Sequence, residues 1–172
     1  MDTVAVAASL CVILALLVAA WSDLAIRTIP DACGIGIALL GLLLRLPAGL
    51  SAVAVSLAAA TVLFLVTLVL HAKGWLGGGD VKLASAVSVG LSLPALYHFM
   101  FITAIAGGVL AAAHLLLRSL VRGVSPPPRR GARLLTRVVA AERWRIARRG
   151  SLPYGMAIAC GGIWAVLISH GG

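Results

Sequence analysis

The sequence predicts an all-α polytopic membrane protein of about six transmembrane helices, forming a single domain over residues 1–172. Three observations carry this. Hydrophobic residues make up 62% of the chain and charged ones only 11%, a balance that few soluble domains hold. Apolar stretches of near-spanning length recur between proline and glycine breaks. The charge is also one-sided. Ten arginines and one glutamate fall between Arg118 and Gly150, so this segment carries the whole net charge of +9.

The first stretch, Val4 to Trp21, reads as a retained span. Val18-Ala19-Ala20 offers small residues for signal-peptide cleavage, but no basic region precedes the stretch. Asp2 before it and Arg27 after it place the N terminus outside. Ile29-Pro30 then breaks the chain, because proline lacks a donor and disfavours helix in the residue before it. Ala32 to Leu46 runs outward, Pro47-Ala48-Gly49 turns, and Leu50 to Leu70 returns. His71 to Gly79 is a short inner loop holding Lys73 and Trp75. Val81 to Leu93, short for a span, runs out, and Pro94 marks the turn. Ala95 to Leu117 comes back, and Leu152 to Ser169 exits. Thirteen of the fourteen basic residues then lie on the cytoplasmic side, Arg45 being the exception. That asymmetry supports a cytoplasmic-membrane protein with both ends outside.

Residues 118–150 form the basic cytoplasmic loop. Pro126-Pro127-Pro128 breaks any helix there. Beyond it, Leu134 and Val138, and Leu135 and Val139, have helical spacing among the arginines. They suggest a short interfacial helix on the inner leaflet, with a solvated loop as the alternative. Basic runs can bind nucleic acid. Between two spans, however, the charge fits topology and anionic lipid, so no nucleic-acid partner is expected. Cys11, Cys33 and Cys160 lack CxxC spacing, and no metal site or cofactor is expected. Of the four histidines only His71 lies near the candidate site loop. Gly107-Gly108 and Gly161-Gly162 are expected to let helices pack closely.

The candidate functional residues are Asp23 and Asp80. Carboxylates are costly at membrane depth and usually mark a working site. Two aspartates can hydrolyse a peptide bond if they meet. One takes a proton from water while the other, protonated, polarises the scissile carbonyl, and like charges so close favour a shared proton. These two stand 57 positions apart, so their helices must pack side by side. Gly77-Gly78-Gly79 ahead of Asp80 would allow a tight turn and a close substrate approach. The residues alone also permit a plainer reading. Asp80 is placed to cap a helix, and Asp23 is placed as an interfacial residue beside Arg27.

Asp23-Leu24-Ala25-Ile26-Arg27-Thr28-Ile29-Pro30, followed by Gly77-Gly78-Gly79-Asp80-Val81-Lys82-Leu83, resembles the type IV prepilin peptidase family. That family carries D-x(5)-I-P-N and G-x-G-D-x-K-L elements. Ser151-Leu152-Pro153-Tyr154-Gly155 is similar to the family's P-[YF]-G element, and the three stand in family order. The resemblance implies a membrane aspartic endopeptidase with Asp23 and Asp80 as the catalytic pair. Gly77, Gly79 and Lys82 match motif positions beside Gly78, Ile29 and Pro30. The implied substrate is a prepilin or pseudopilin whose basic leader is cut at the cytoplasmic face. Asp31 stands where the family usually has asparagine, which could alter leader binding or the charge of the site. Pro153, Tyr154 and Gly155 are candidates for substrate contact or site tuning. The paired CxxC elements of the bifunctional members have no counterpart, so the chain resembles the short, peptidase-only members. These include the tight-adherence (Flp-type) and archaeal preflagellin enzymes.

Presenilin-like proteases share GxGD but favour a Tyr-Asp first element, which Trp21-Ser22-Asp23 does not supply. A small proton-coupled transporter subunit and a non-catalytic pilus-assembly scaffold are the readings from other classes. Helix position also suggests a division of labour. Asp80 at a helix start would be the base, and Asp23 after a helix end would more often hold the proton.

Overall fold

The computed structural model describes residues 3–120, 134–147 and 152–170, which are helical with short connections and contain no strand. The helices are α1 (Thr3–Ile26), α2 (Asp31–Arg45), α3 (Leu50–Ala72), α4 (Gly78–Val89), α5 (Leu93–Leu120), α6 (Leu134–Ala147) and α7 (Tyr154–His170). Asp2, Pro126-Pro127-Pro128 and Ser151 lie outside the described residues.

The breaks fall where the sequence places them. Arg27 closes α1 in the left-handed region, at φ 57°, and its N–H donates to the Asp23 carbonyl at 3.0 Å. Pro30 is extended and α2 starts at Asp31, an acid in the first turn, where the helix dipole favours it. A 3-10 turn over Leu46–Ala48 contains Pro47 and leads to Gly49 at φ 95°. Arg45, the one basic residue expected on the outer side, donates through Nε to Ser56 Oγ at 3.0 Å. Ser56 in turn donates to the Leu91 carbonyl at 2.8 Å. These contacts tie the far ends of α2, α3 and α4 together.

Four described segments have the length and composition to cross a membrane: α1, Asp31–Ala48, α3 and Leu93–Arg118 of α5. α7 is apolar but shorter. The sequence reading counted a further span at Val81 to Leu93. The helix there has 12 residues and rises about 18 Å, well short of the ~30 Å hydrocarbon core. It also begins earlier than expected, at Gly78, so Asp80 lies inside the helix.

α4 is the centre of the bundle. α2 and α3 pack on it from two sides but scarcely touch each other, while α7 packs on α5 and α1 and reaches α4. Leu16, Ile37, Leu83, Phe99 and Ile158 are buried where these elements meet. Large apolar side chains such as Leu14, Val62, Phe101 and Leu116 face outward, a surface suited to lipid. Small residues allow the close crossings. A Cβ on Gly161 would strike the Phe99 carbonyl, and one on Gly162 would press on Leu16. Gly107 makes room for the Tyr154 ring, whereas Gly108 has nothing within 4 Å. A close backbone-to-backbone crossing was not foreseen: a Cβ on Gly90 would lie 2.6 Å from Gly41 Cα. The helix expected from the Leu134–Val138 spacing is α6, which packs against α1 and α5 and buries Ile146.

Candidate active site

α1 delivers Asp23 from its last turn and α4 delivers Asp80 from its first. Both are buried, at 7% and 9% exposure. They line one partly open cavity of about 810 Å³ with Arg27, Trp75, Leu152 and Tyr154. The charges of Asp23 and Arg27 both act on Asp80.

Each carboxylate is held by a main-chain donor at the start of a helix. The Gly77 N–H donates to the Asp80 side chain. Gly77 is the residue ahead of α4, so Asp80 reaches back as the acid of a capping box does. Asp23 Oδ2 accepts from the Gly155 N–H at 2.9 Å, in the first turn of α7. This corrects the division of labour drawn from helix ends. Asp23 sits at the C-terminal end of its own helix, but its carboxylate meets the N-terminal end of another. Both acids therefore face a helix start, and the dipole does not tell them apart.

The three glycines make no left-handed turn, and Gly77 makes room for the Asp80 carboxylate. Gly77 has φ −71°, and neither Gly78 nor Gly79 has a positive φ; the left-handed turn in this loop is made by Gly74 at φ 75°. A Cβ on Gly77 would lie 2.8 Å from Asp80 Oδ2, and one on Gly155 would lie 2.8 Å from Asp23 Oδ2. Gly79 packs on Ile29, and Gly78 lies against His71. His71 does not line the cavity; its Nδ1 donates to the Leu76 carbonyl at 2.8 Å and braces the loop.

The other motif residues gather at the rim. Ile29, Asp31, Gly78, Gly79 and Lys82 line the cavity. Lys82 Nζ meets Asp31 Oδ1 at 2.8 Å, with both side chains mostly exposed. The unusual acid after Ile-Pro is thus paired with the motif lysine. Pro153 is buried ahead of α7, and Pro30 lines an adjoining groove.

Sequence reasoning missed Arg27 and Glu142. Arg27 Nη2 donates to Glu142 Oε1 of α6 at 2.7 Å, and both side chains are 16% exposed. Among the described residues, the Nε and Nη1 of Arg27 are buried without a hydrogen-bond partner. The available signal was Glu142 itself, a single acid among ten arginines.

Chemically, the cavity presents two buried carboxylates to one space, with a cation at one side and an aromatic rim. This is a constellation for proton give-and-take around a water molecule. Among the described residues no group of three or more His, Cys, Asp or Glu is placed to hold a metal ion.

A model of the type IV leader peptidase family matches residues 10–112, more than half of the chain. The matched span runs from within α1 into α5 and includes both aspartates. No curated protein gives a significant match, and neither does any solved structure.

Proposed function

The chain belongs to the type IV leader peptidase family, and we propose that it is a membrane aspartic endopeptidase with Asp23 and Asp80 as its catalytic pair. Its substrate is a prepilin or pseudopilin, cut at the basic leader on the cytoplasmic face of the cytoplasmic membrane. The observation that carries this reading is that α1 and α4 bring two buried carboxylates to one cavity.

The chemistry follows from the pair. With one proton between them, the ionised carboxylate takes a proton from water as its oxygen attacks the scissile carbonyl carbon. The protonated carboxylate gives its proton to the carbonyl oxygen. Collapse of the tetrahedral diol breaks the C–N bond: the first acid passes its proton to the departing amine, and the second carboxylate takes back a hydroxyl proton as the C=O reforms. The Gly77 and Gly155 N–H groups hold the two carboxylates in register. Trp75 and Tyr154 border the cavity where an extended peptide would enter. The net charge of +9 carried by residues 118–150 favours the cytoplasmic side, where anionic lipid attracts it.

The test is leader cleavage of a prepilin from the same genome in liposomes. Wild type should produce the shortened product. Asp23→Asn and Asp80→Asn should each lose roughly 10²–10⁴-fold in rate, the usual worth of a positioned acid or base, while unfolding at a temperature close to wild type. Cleavage by both variants at the wild-type rate would remove the pair from the mechanism. No cleavage by wild type with several such substrates would favour a proton relay or a scaffold.

A further inference from the structure

Because α2 and α3 lean on α4 from two sides without closing on each other, a groove remains between them. Its floor is α4 at Leu83 and Ala86. One wall is α2 at Gly34 and Ala38, and the other is α3 at Ala60 and Phe64. Its volume is about 560 Å³, room for the side chains of a helical turn or two. Most of its lining is apolar. Small residues stand on all three helices, which is how membrane helices admit a close neighbour.

The groove is continuous with the candidate active site. Ile29, Asp31, Gly79 and Lys82 line both. It therefore starts at the rim of that cavity, beside Asp31 and Lys82, and runs along α4 past Leu83 and Ala86 to Val89. Gly34 is the telling residue, because a Cβ there would meet nothing within 4 Å. Among the described residues, no part of the chain fills that space.

We infer that the α2–α3–α4 groove is the docking site for the apolar helix of the substrate, seating it so that the adjoining cleavage point lies at Asp23 and Asp80. The inference rests on the peptidase reading and adds where the substrate sits. Recognition is then divided. The polar cavity takes the segment that is cut, and the groove takes the apolar helix beside it. A substrate lacking that helix would reach the carboxylates without using the groove.

The test fills the groove from a position that tolerates it. Gly34→Leu adds bulk into open space, and Gly36→Leu is the control, since Gly36 also has nothing within 4 Å but does not line the groove. Each is assayed on a full-length prepilin in liposomes and on a peptide carrying the leader and only the first few residues after the cleavage point. Gly34→Leu should lower kcat/KM for the full-length substrate at least tenfold and leave the short peptide within about twofold of wild type. Gly36→Leu should leave both unchanged. Equal cleavage of the full-length substrate by Gly34→Leu and wild type would overturn the assignment, leaving lipid as the occupant. Equal loss on both substrates would also overturn it.

A binding measurement stands apart from catalysis. In the Asp80→Asn background, a photo-crosslinking residue at Thr61, which lines the groove, should capture the apolar helix of the prepilin. The same residue at Val62, which is exposed but not part of the groove, should not. Capture at Val62 alone, or at neither position, would refute docking. Capture at Thr61 with no cleavage by wild type would keep the docking site while the peptidase reading fell.

Discussion

Replacing Gly155 with alanine should disable cleavage by displacing Asp23 rather than by removing it. The added Cβ would lie 2.8 Å from Asp23 Oδ2, 2.9 Å from its Cβ and 3.0 Å from its Cγ, whereas ordinary contact begins near 3.4 Å. Relief requires the carboxylate and the start of α7 to separate by about 0.6 Å. The 2.9 Å hydrogen bond from the Gly155 N–H then stretches to about 3.5 Å, beyond the useful range. A hydrogen bond to a charged group is worth about 1.5–3 kcal/mol, and the crowding adds ~1–3 kcal/mol. The better helix propensity of alanine returns at most about 1 kcal/mol. The variant should therefore be destabilised by roughly 1.5–5 kcal/mol on these terms. A misplacement approaching 1 Å at the reacting groups costs on the order of 10²-fold in rate. The loss should fall on kcat, with KM nearly unchanged, because the substrate contacts are kept. Steady-state cleavage with a thermal-unfolding scan measures both. Gly108→Ala is the control, since its Cβ meets nothing, and it should be neutral or slightly stabilising. A Gly155→Ala enzyme that cleaves within threefold of wild type would refute the claim that α7 positions Asp23.

Other outcomes follow from the same geometry. Glu142→Gln removes the partner of Arg27 and should destabilise the protein by ~1–3 kcal/mol. In a double-mutant cycle, Arg27→Met with Glu142→Gln should cost less than the sum of the two single changes, read by thermal or denaturant unfolding. Asp31→Asn should be nearly silent, within about 1 kcal/mol, because its pair with Lys82 is exposed; a large loss of cleavage would assign Asp31 a role in leader binding. Gly90→Ala should be among the most damaging single-methyl additions, because its Cβ would meet the Gly41 backbone at 2.6 Å. Two helix backbones would have to part, at a cost of about 3 kcal/mol or more, seen as a lowered unfolding temperature.

The helical class and the order of the segments were legible because long apolar runs leave few alternatives to helix. The pairing of Asp23 with Asp80 in one cavity was legible from their rarity in an apolar chain. The start of α4 was not, because three consecutive glycines read as a turn. The structure uses them as a helix start, and at Gly77 a side chain would collide with Asp80. The contacts that complete the site were also hidden. Gly155 meets Asp23 across 132 positions, and Arg27 meets Glu142 across 115. Neither leaves a local pattern, since periodicity reports which face of a helix is apolar and not which helix lies opposite. The Gly41–Gly90 crossing was hidden for the same reason.

The bond from Gly155 to Asp23 sets an order on how this protein can come to life. Asp23 and Asp80 both emerge from the ribosome well before α7, yet one of them waits for a donor that α7 alone brings. Until that helix has settled against α1 and α5, the Gly155 N–H is missing from the site. A cavity lined from α1, α4 and the entry to α7 is thus completed late, after the other elements that line it have been made.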